Sequence, residues 1–150
     1  MRRETRNIIR LTLFLGFISC FAVSEAQNVM QKLQSNRQTS HFAQALVDAN
    51  LHEKLNQNGP FTLFAPSNSA FDKLSIGQKN NNDLLLNHIF TGMATERSLK
   101  AMSEVTCLSG RTINIKTNSN DQVMVNSVPI STANIRTSNG VIHIIDGVIK

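Results

Sequence analysis

The sequence predicts an α+β domain, with N-terminal helices packed along a largely antiparallel sheet. Three observations carry that prediction. Apolar residues recur at helical spacing between Asn28 and Leu55. From Val105 onward the apolar period changes to two, the period of a strand with one buried face. Near the end, Asn139-Gly140 signals a hairpin turn of type I′. The run that follows, Val141-Ile142-His143-Ile144-Ile145, is β-branched and apolar except for His143. Such a run fits a central strand covered on both faces. Helices first and strands afterwards imply two segregated layers around one core.

The N-terminus reads as a leader rather than as fold. Arg2, Arg3, Arg6 and Arg10 form a basic region ahead of the apolar stretch Leu11 to Val23. That stretch has 13 residues, too few for an ordinary membrane span. Ser24-Glu25-Ala26 places small residues at a cleavage site, so residues 1–26 are expected to be a secretory signal peptide. The alternative is an uncleaved anchor helix. Residues 27–150 are then one domain of 124 residues, long enough for a core of its own. No second hydrophobic span or lipid-anchor tail follows, so no stable membrane anchor is expected.

The elements follow in order. Val29, Met30 and Leu33 make a short helical stripe. Thr39 or Ser40 can cap a helix showing Phe42, Ala43, Leu46 and Val47 on one face. Leu51 and Leu55 add a further turn, closed by Asn58-Gly59-Pro60. Phe61 to Ala65 is a buried strand that Pro66 ends, and Ser67 or Asn68 caps a short helix holding Phe71. Ser75 to Asn82 is polar and is expected to be a loop. Asp83 is expected to cap the run Leu84 to Phe90, whose apolar triplet leaves helix and strand undecided. Thr95 caps a turn through Leu99. Strands follow at Thr112–Thr117, Val123–Val125, Val128–Ile130 and Ala133–Ile135, with Pro129 marking an edge or strand end.

Composition excludes several classes. Residues 27–150 hold eleven basic and eight acidic residues, a net +3 against +5 for the whole chain. They contain five Phe but no Trp or Tyr, and no Lys/Arg run. A nucleic-acid surface would need a basic patch interleaved with stacking aromatics, so no nucleic acid is expected. The missing Trp and Tyr also argue against a sugar-stacking lectin. Cys107 is the one cysteine beyond the leader, expected to be buried or to join a second chain by a disulfide. There is no Asn-x-Ser/Thr sequon.

Two stretches then stand together. Thr62-Leu63-Phe64-Ala65-Pro66-Ser67-Asn68-Ser69-Ala70-Phe71 resembles the first signature of the fasciclin domain. Asn139 to Ile149 resembles its second, with Gly140, His143 and Asp146 in place. Leu84-Leu85-Leu86-Asn87-His88-Ile89 is similar to the family's leucine-rich Tyr-His or Asn-His segment, and Leu108-Ser109-Gly110 to the turn before its sheet. The resemblance implies a fasciclin-like β-sandwich or wedge with helices packed along the sheet. It also implies a secreted extracellular module for cell adhesion and matrix interaction. Its partners would be cell-surface or matrix proteins, an integrin-type receptor among them. By the same resemblance the candidate partner-binding residues are Asp83, Leu84, His88 and Ile89. Asn87 stands where integrin-binding members carry Tyr, and Asn134 where the family often has Asp.

The remaining polar residues give no case for an enzyme. His52-Glu53-Lys54-Leu55-Asn56 lacks the second His of the zinc-protease motif and reads as a solvated helix surface. No nucleophile elbow, phosphate loop or paired-carboxylate signature occurs. No cofactor or metal is expected. His88 and His143 lie in apolar stretches. They read either as a partner or metal site, or as buried rings satisfied by groups such as Asn68 or Asp146; the structural reading is preferred. Thr62, Phe64, Pro66, Asn68, Phe71, Asn139, Gly140, His143 and Asp146 are therefore taken as structural. The alternative to adhesion is a carrier with an apolar groove between helices and sheet for a small lipid-like ligand.

Overall fold

The computed structural model of the chain describes residues 25–150, so all but the last two residues of the expected leader 1–26 fall outside the described residues. Three helices come first: α1 (Val29–Ser35), α2 (Ser40–Asp48) and α3 (His52–Leu55). Strand β1 (Phe61–Pro66) leads into α4 (Asn68–Phe71), α5 (Ile76–Lys79) and α6 (Asn82–Leu86). Then follow β2 (Ile89–Thr91), α7 (Glu96–Lys100), β3 (Glu104–Thr106), β4 (Thr112–Thr117) and β5 (Val123–Val125). The chain finishes with β6 (Val128–Thr137) and β7 (Gly140–Ile145). No helix among the described residues is long and apolar enough to cross a membrane.

The seven strands form one sheet in the order β2-β1-β7-β6-β5-β4-β3. Only β1 and β7 run parallel; the other neighbours are antiparallel. All six residues of β1 and all six of β7 are buried, as the apolar run after Gly140 requires. An antiparallel bridge joins Phe90 to Cys107, and Leu108 N donates to the Ile89 carbonyl at 2.8 Å. The two ends of the sheet therefore meet, and the sheet curls almost closed.

Because β1 and β7 are covered on both faces, they separate two cores. On one side Leu63, Ala65 and Ile142 pack against Val29, Leu33, Phe42, Leu46, Phe71 and Leu85 from the helices. On the other, Phe64 and Ile145 meet Ile113, Ile115, Val123 and Val125 across the curled sheet. Leu99 of α7 belongs to this second core, so α7 does not join the other helices on their side.

Several expectations change locally. Neither Asn139 nor Gly140 has a positive φ, so their turn is not type I′. Instead, Asn126 (φ 46°) and Ser127 (φ 68°) carry that geometry between β5 and β6. Gly140 is required for another reason: a Cβ there would overlap the Phe61 carbonyl oxygen across the parallel pair. The two short strands expected after Val128 are one strand, β6, with register shifts around Thr132. Asn134 sits in this irregular part with φ 59°, the left-handed conformation Asn tolerates. Ser75 to Asn82 is not all loop. Ser75 and Gln78 form a reciprocal capping box on α5. The cap of α6 is Asn81, and Asp83 lies inside its first turn.

Candidate functional site

The segment Asn81 to Thr91 holds the residues expected to meet a partner. Asn81 Oδ1 accepts from Leu84 N at 3.1 Å and starts α6. The helix has one turn in which to turn Leu84 and Leu85 inward before the chain extends into β2. The geometry divides the four candidate residues. Asp83 is exposed. Leu84 is 9% exposed, His88 0% and Ile89 1%. His88 and Ile89 are part of the folded interior, and Leu84 shows only its edge to the cleft beside Asp83.

His88 works as a tie. Its Nδ1 donates to the Leu84 carbonyl at 2.8 Å, and its Nε2 accepts from Ile149 N at 3.0 Å. One neutral tautomer satisfies both bonds. The ring packs against Phe42 with centroids 5.4 Å apart. Burial pushes its pKa down to about 4, against the pull of the Leu84 carbonyl. His143 carries the opposite tautomer. Its Nε2 donates to the Ala94 carbonyl at 2.7 Å, and its Nδ1 accepts from Asn134 N at 3.3 Å. It stacks on Phe64 at 5.8 Å, and burial lowers its pKa as well. The partners of both rings are backbone groups, not Asn68 or Asp146. Asp146 is exposed, and only its backbone N–H is engaged, with the Pro129 carbonyl.

The other signature residues anchor helices and loops. Thr62 Oγ1 donates to the Gly92 carbonyl at 2.7 Å and accepts from Ala94 N at 2.9 Å. Pro66 ends β1 opposite Ile145. Phe71 meets Phe42 edge-on at 5.9 Å. Asn68 Oδ1 accepts from His41 N in the first turn of α2, while its amide donates to the Arg37 carbonyl and Ser40 Oγ. Asn139 Oδ1 accepts from Val29 N at the start of α1, and its amide donates to the Leu55 and Gln57 carbonyls. Asn134 Oδ1 accepts from Glu96 N at the start of α7. Three asparagines distant in sequence thus each satisfy one free N–H at the start of a helix.

Beside Asp83 lies an open cleft of about 430 Å³, where Asn87, Arg111 and Lys150 also stand. Asn87 is 4% exposed and its Oδ1 has no hydrogen-bond partner. Asp83, Arg111 and Lys150 enter no ion pair among the described residues. Sequence reading did not single out Arg111 or Lys150, which come from distant parts of the chain.

Elsewhere, His41 Nδ1 lies 2.8 Å from Asp72 Oδ1, which also meets Lys79 Nζ at 3.4 Å. The His41 hydrogen bond holds the Asp72 carboxyl below its usual range. The cleft around this cluster is lined without any Ser, Thr or Cys to act as a nucleophile. Glu53 is exposed as expected, but His52 is half-buried with an unpartnered Nδ1. Among the described residues no three of His, Cys, Asp and Glu come close enough to hold a metal ion. Cys107 is free and 4% exposed, and burial pushes its thiol up to about 12. It is therefore a packed side chain rather than an accessible disulfide partner.

A model of the Fasciclin domain matches residues 37–150. The chain belongs to the fasciclin domain family. This fasciclin domain is 33% identical over 142 residues to protein sll1483 of Synechocystis sp., covering 88% of this chain and 78% of that one. It is 31% identical over 131 residues to human periostin, and 30% over 130 to the pig transforming growth factor-beta-induced protein ig-h3. Each match covers 81% of this chain but only 16% and 19% of those two proteins. In fold it is similar to a solved FAS1 domain pair from the insect cell adhesion molecule Fasciclin I. That likeness has a TM-score of 0.72 at 17% identity and covers 84% of this chain and 51% of the other.

Proposed function

We propose that this fasciclin domain is a secreted, non-enzymatic adhesion module that binds cell-surface or matrix proteins through its outer surface. The observation that carries the reading is the match of residues 37–150 to the Fasciclin domain, the kind of domain found in an insect cell adhesion molecule. Its chemistry agrees. Both histidines of the signature segments are buried, with their ring nitrogens committed to backbone groups, and neither is free to exchange protons with a substrate. Of the four candidate residues, Asp83 is the exposed side chain. Secretion rests on the leader pattern of residues 1–26.

The carrier alternative gains no support from the shape of the molecule. Apolar side chains between helices and sheet pack against one another. A cleft of about 450 Å³ beside them is lined mainly by polar groups such as Arg37, Ser67, Ser131 and Asp146.

The test is a cell-adhesion assay on immobilised domain, paired with N-terminal sequencing of the secreted product. Wild type is expected to retain cells and to begin at Gln27. Asp83→Ala is expected to fold normally and adhere cells less well. Equal adhesion by both proteins would remove Asp83 from the contact, and a wild-type surface that retains no cells would overturn the adhesion reading.

A further inference from the structure

A second cleft, of about 580 Å³, opens along β4 and β5 and holds Lys116. Its remaining lining contains no carboxylate side chain. Lys150 lines both this cleft and the one that holds Arg111 and Asp83. The two clefts therefore adjoin at Lys150, and together they make a path lined by Lys116, Lys150 and Arg111. Lys116 and Arg111 are both exposed, and all three cations lack an ion-pair partner among the described residues. Against them stands one carboxylate side chain, Asp83, on the Arg111 side. Unpaired cations along an open path raise the local concentration of anions and favour an extended acidic ligand.

We propose that this path binds an acidic peptide segment of a protein partner. The inference rests on the adhesion reading and names the chemistry of what that surface takes. The cations pair with Asp or Glu side chains of the ligand. The exposed Asp83 is an acceptor, suited to peptide N–H groups rather than to a ligand that only accepts. Met124 and Val148 give the wider cleft an apolar strip for the ligand's aliphatic carbons. A sulfated or uronate polysaccharide would share the charge. It is disfavoured because neither cleft has an aromatic side chain on which a sugar face could stack.

The test is fluorescence anisotropy with a fluorescein-labelled peptide of alternating Glu and Gly, at low and at physiological salt. A sulfated heparin oligosaccharide serves as the competing probe. Wild type is expected to bind the peptide, more weakly as salt rises. The double variant Arg111→Glu, Lys150→Glu is expected to lose at least about tenfold in affinity, the effect of about 1.4 kcal/mol. Lys54→Glu, an exposed charge on α3, is expected to leave binding unchanged. Circular dichroism melts check that the variants fold. Peptide binding unaffected by the double variant, or heparin binding without peptide binding, would overturn the proposal. If wild type adheres cells but ignores the peptide, this inference falls while the adhesion reading stands. If it binds the peptide through Arg111 and Lys150 but retains no cells, the reverse holds.

Discussion

Acidification should unlock the tie made by His88. The ring titrates near 6.5 in an unfolded chain and is held at about 4 in the folded one. Between those values the unfolded state takes up the proton first. The stability His88 contributes is therefore full above about pH 6.5, falls as the pH drops, and levels off below about pH 4. The gap corresponds to about 3 kcal/mol, a large part of the stability of a domain this size. His143, lowered by burial too, adds a loss of the same sign. The cause is geometric: a protonated His88 has no lone pair for Ile149 N–H, and its charge lies among Phe42 and the leucines. The assay is urea unfolding followed by circular dichroism at about pH 7.5 and about pH 4.5, with NMR titration of the ring protons. The unfolding free energy should drop by about 2.5 kcal/mol from His88 alone, with the loss from His143 added to it. His88→Leu should be less stable at neutral pH but show a shallower pH slope. Equal stability at both pH values, or a folded His88 signal titrating near 6.5, would refute this account.

Three further outcomes follow from single contacts. Asn139→Ala removes three hydrogen bonds that hold α1 and the chain around α3 to the sheet, and should cost about 3 kcal/mol in chemical denaturation. Gly140→Ala drives a methyl into the Phe61 carbonyl and should abolish soluble expression, whereas Gly77→Ala, with open space around it, should express normally. His143→Ala leaves Asn134 N–H and the Ala94 carbonyl without their partner and should mainly impair folding and secretion. A variant as stable as wild type that fails to bind a partner would make His143 a contact residue instead.

The central strand was legible because its apolar run is long and unbroken, and burial on both faces leaves such a run few alternatives. Its neighbour β1 was legible for the same reason. The short elements were harder. Leu84 to Phe90 splits between the end of a one-turn helix and the start of a three-residue strand, and no period can be read from so few positions. The type I′ turn was assigned to Asn139-Gly140 on residue preference. The geometry instead selects Asn126-Ser127, and Gly140 answers to Phe61 of the neighbouring strand, distant in the chain. The capping box of Ser75 and Gln78 was present in the sequence, but a polar stretch with a glycine masked it. For the candidate site, the sequence singles out Asp83 but not the residues around it. Arg111 and Lys150 reach it only once the sheet has curled, and no local pattern marks them.

The signature asparagines show why resemblance identified the fold more readily than the contact surface. A helix cap is ordinarily a local device, supplied by the residue before the helix. Here Asn68, Asn134 and Asn139 reach the starts of α2, α7 and α1 from sequence distances of 27, 38 and 110 residues. Each bond forms only when the helix and the distant segment are both in place, so each couples secondary structure to topology. Replacing any one leaves one N–H of a helix N-terminus without its partner and loosens the attachment of that helix to the rest of the fold. These positions are therefore constrained by folding, whatever the domain binds. An exposed cation such as Arg111 bears no such load, and its identity can follow the partner. The chemistry that distinguishes one fasciclin domain from another is thus expected on the surface around Asp83, Arg111 and Lys150, outside the two signatures by which the fold is recognised.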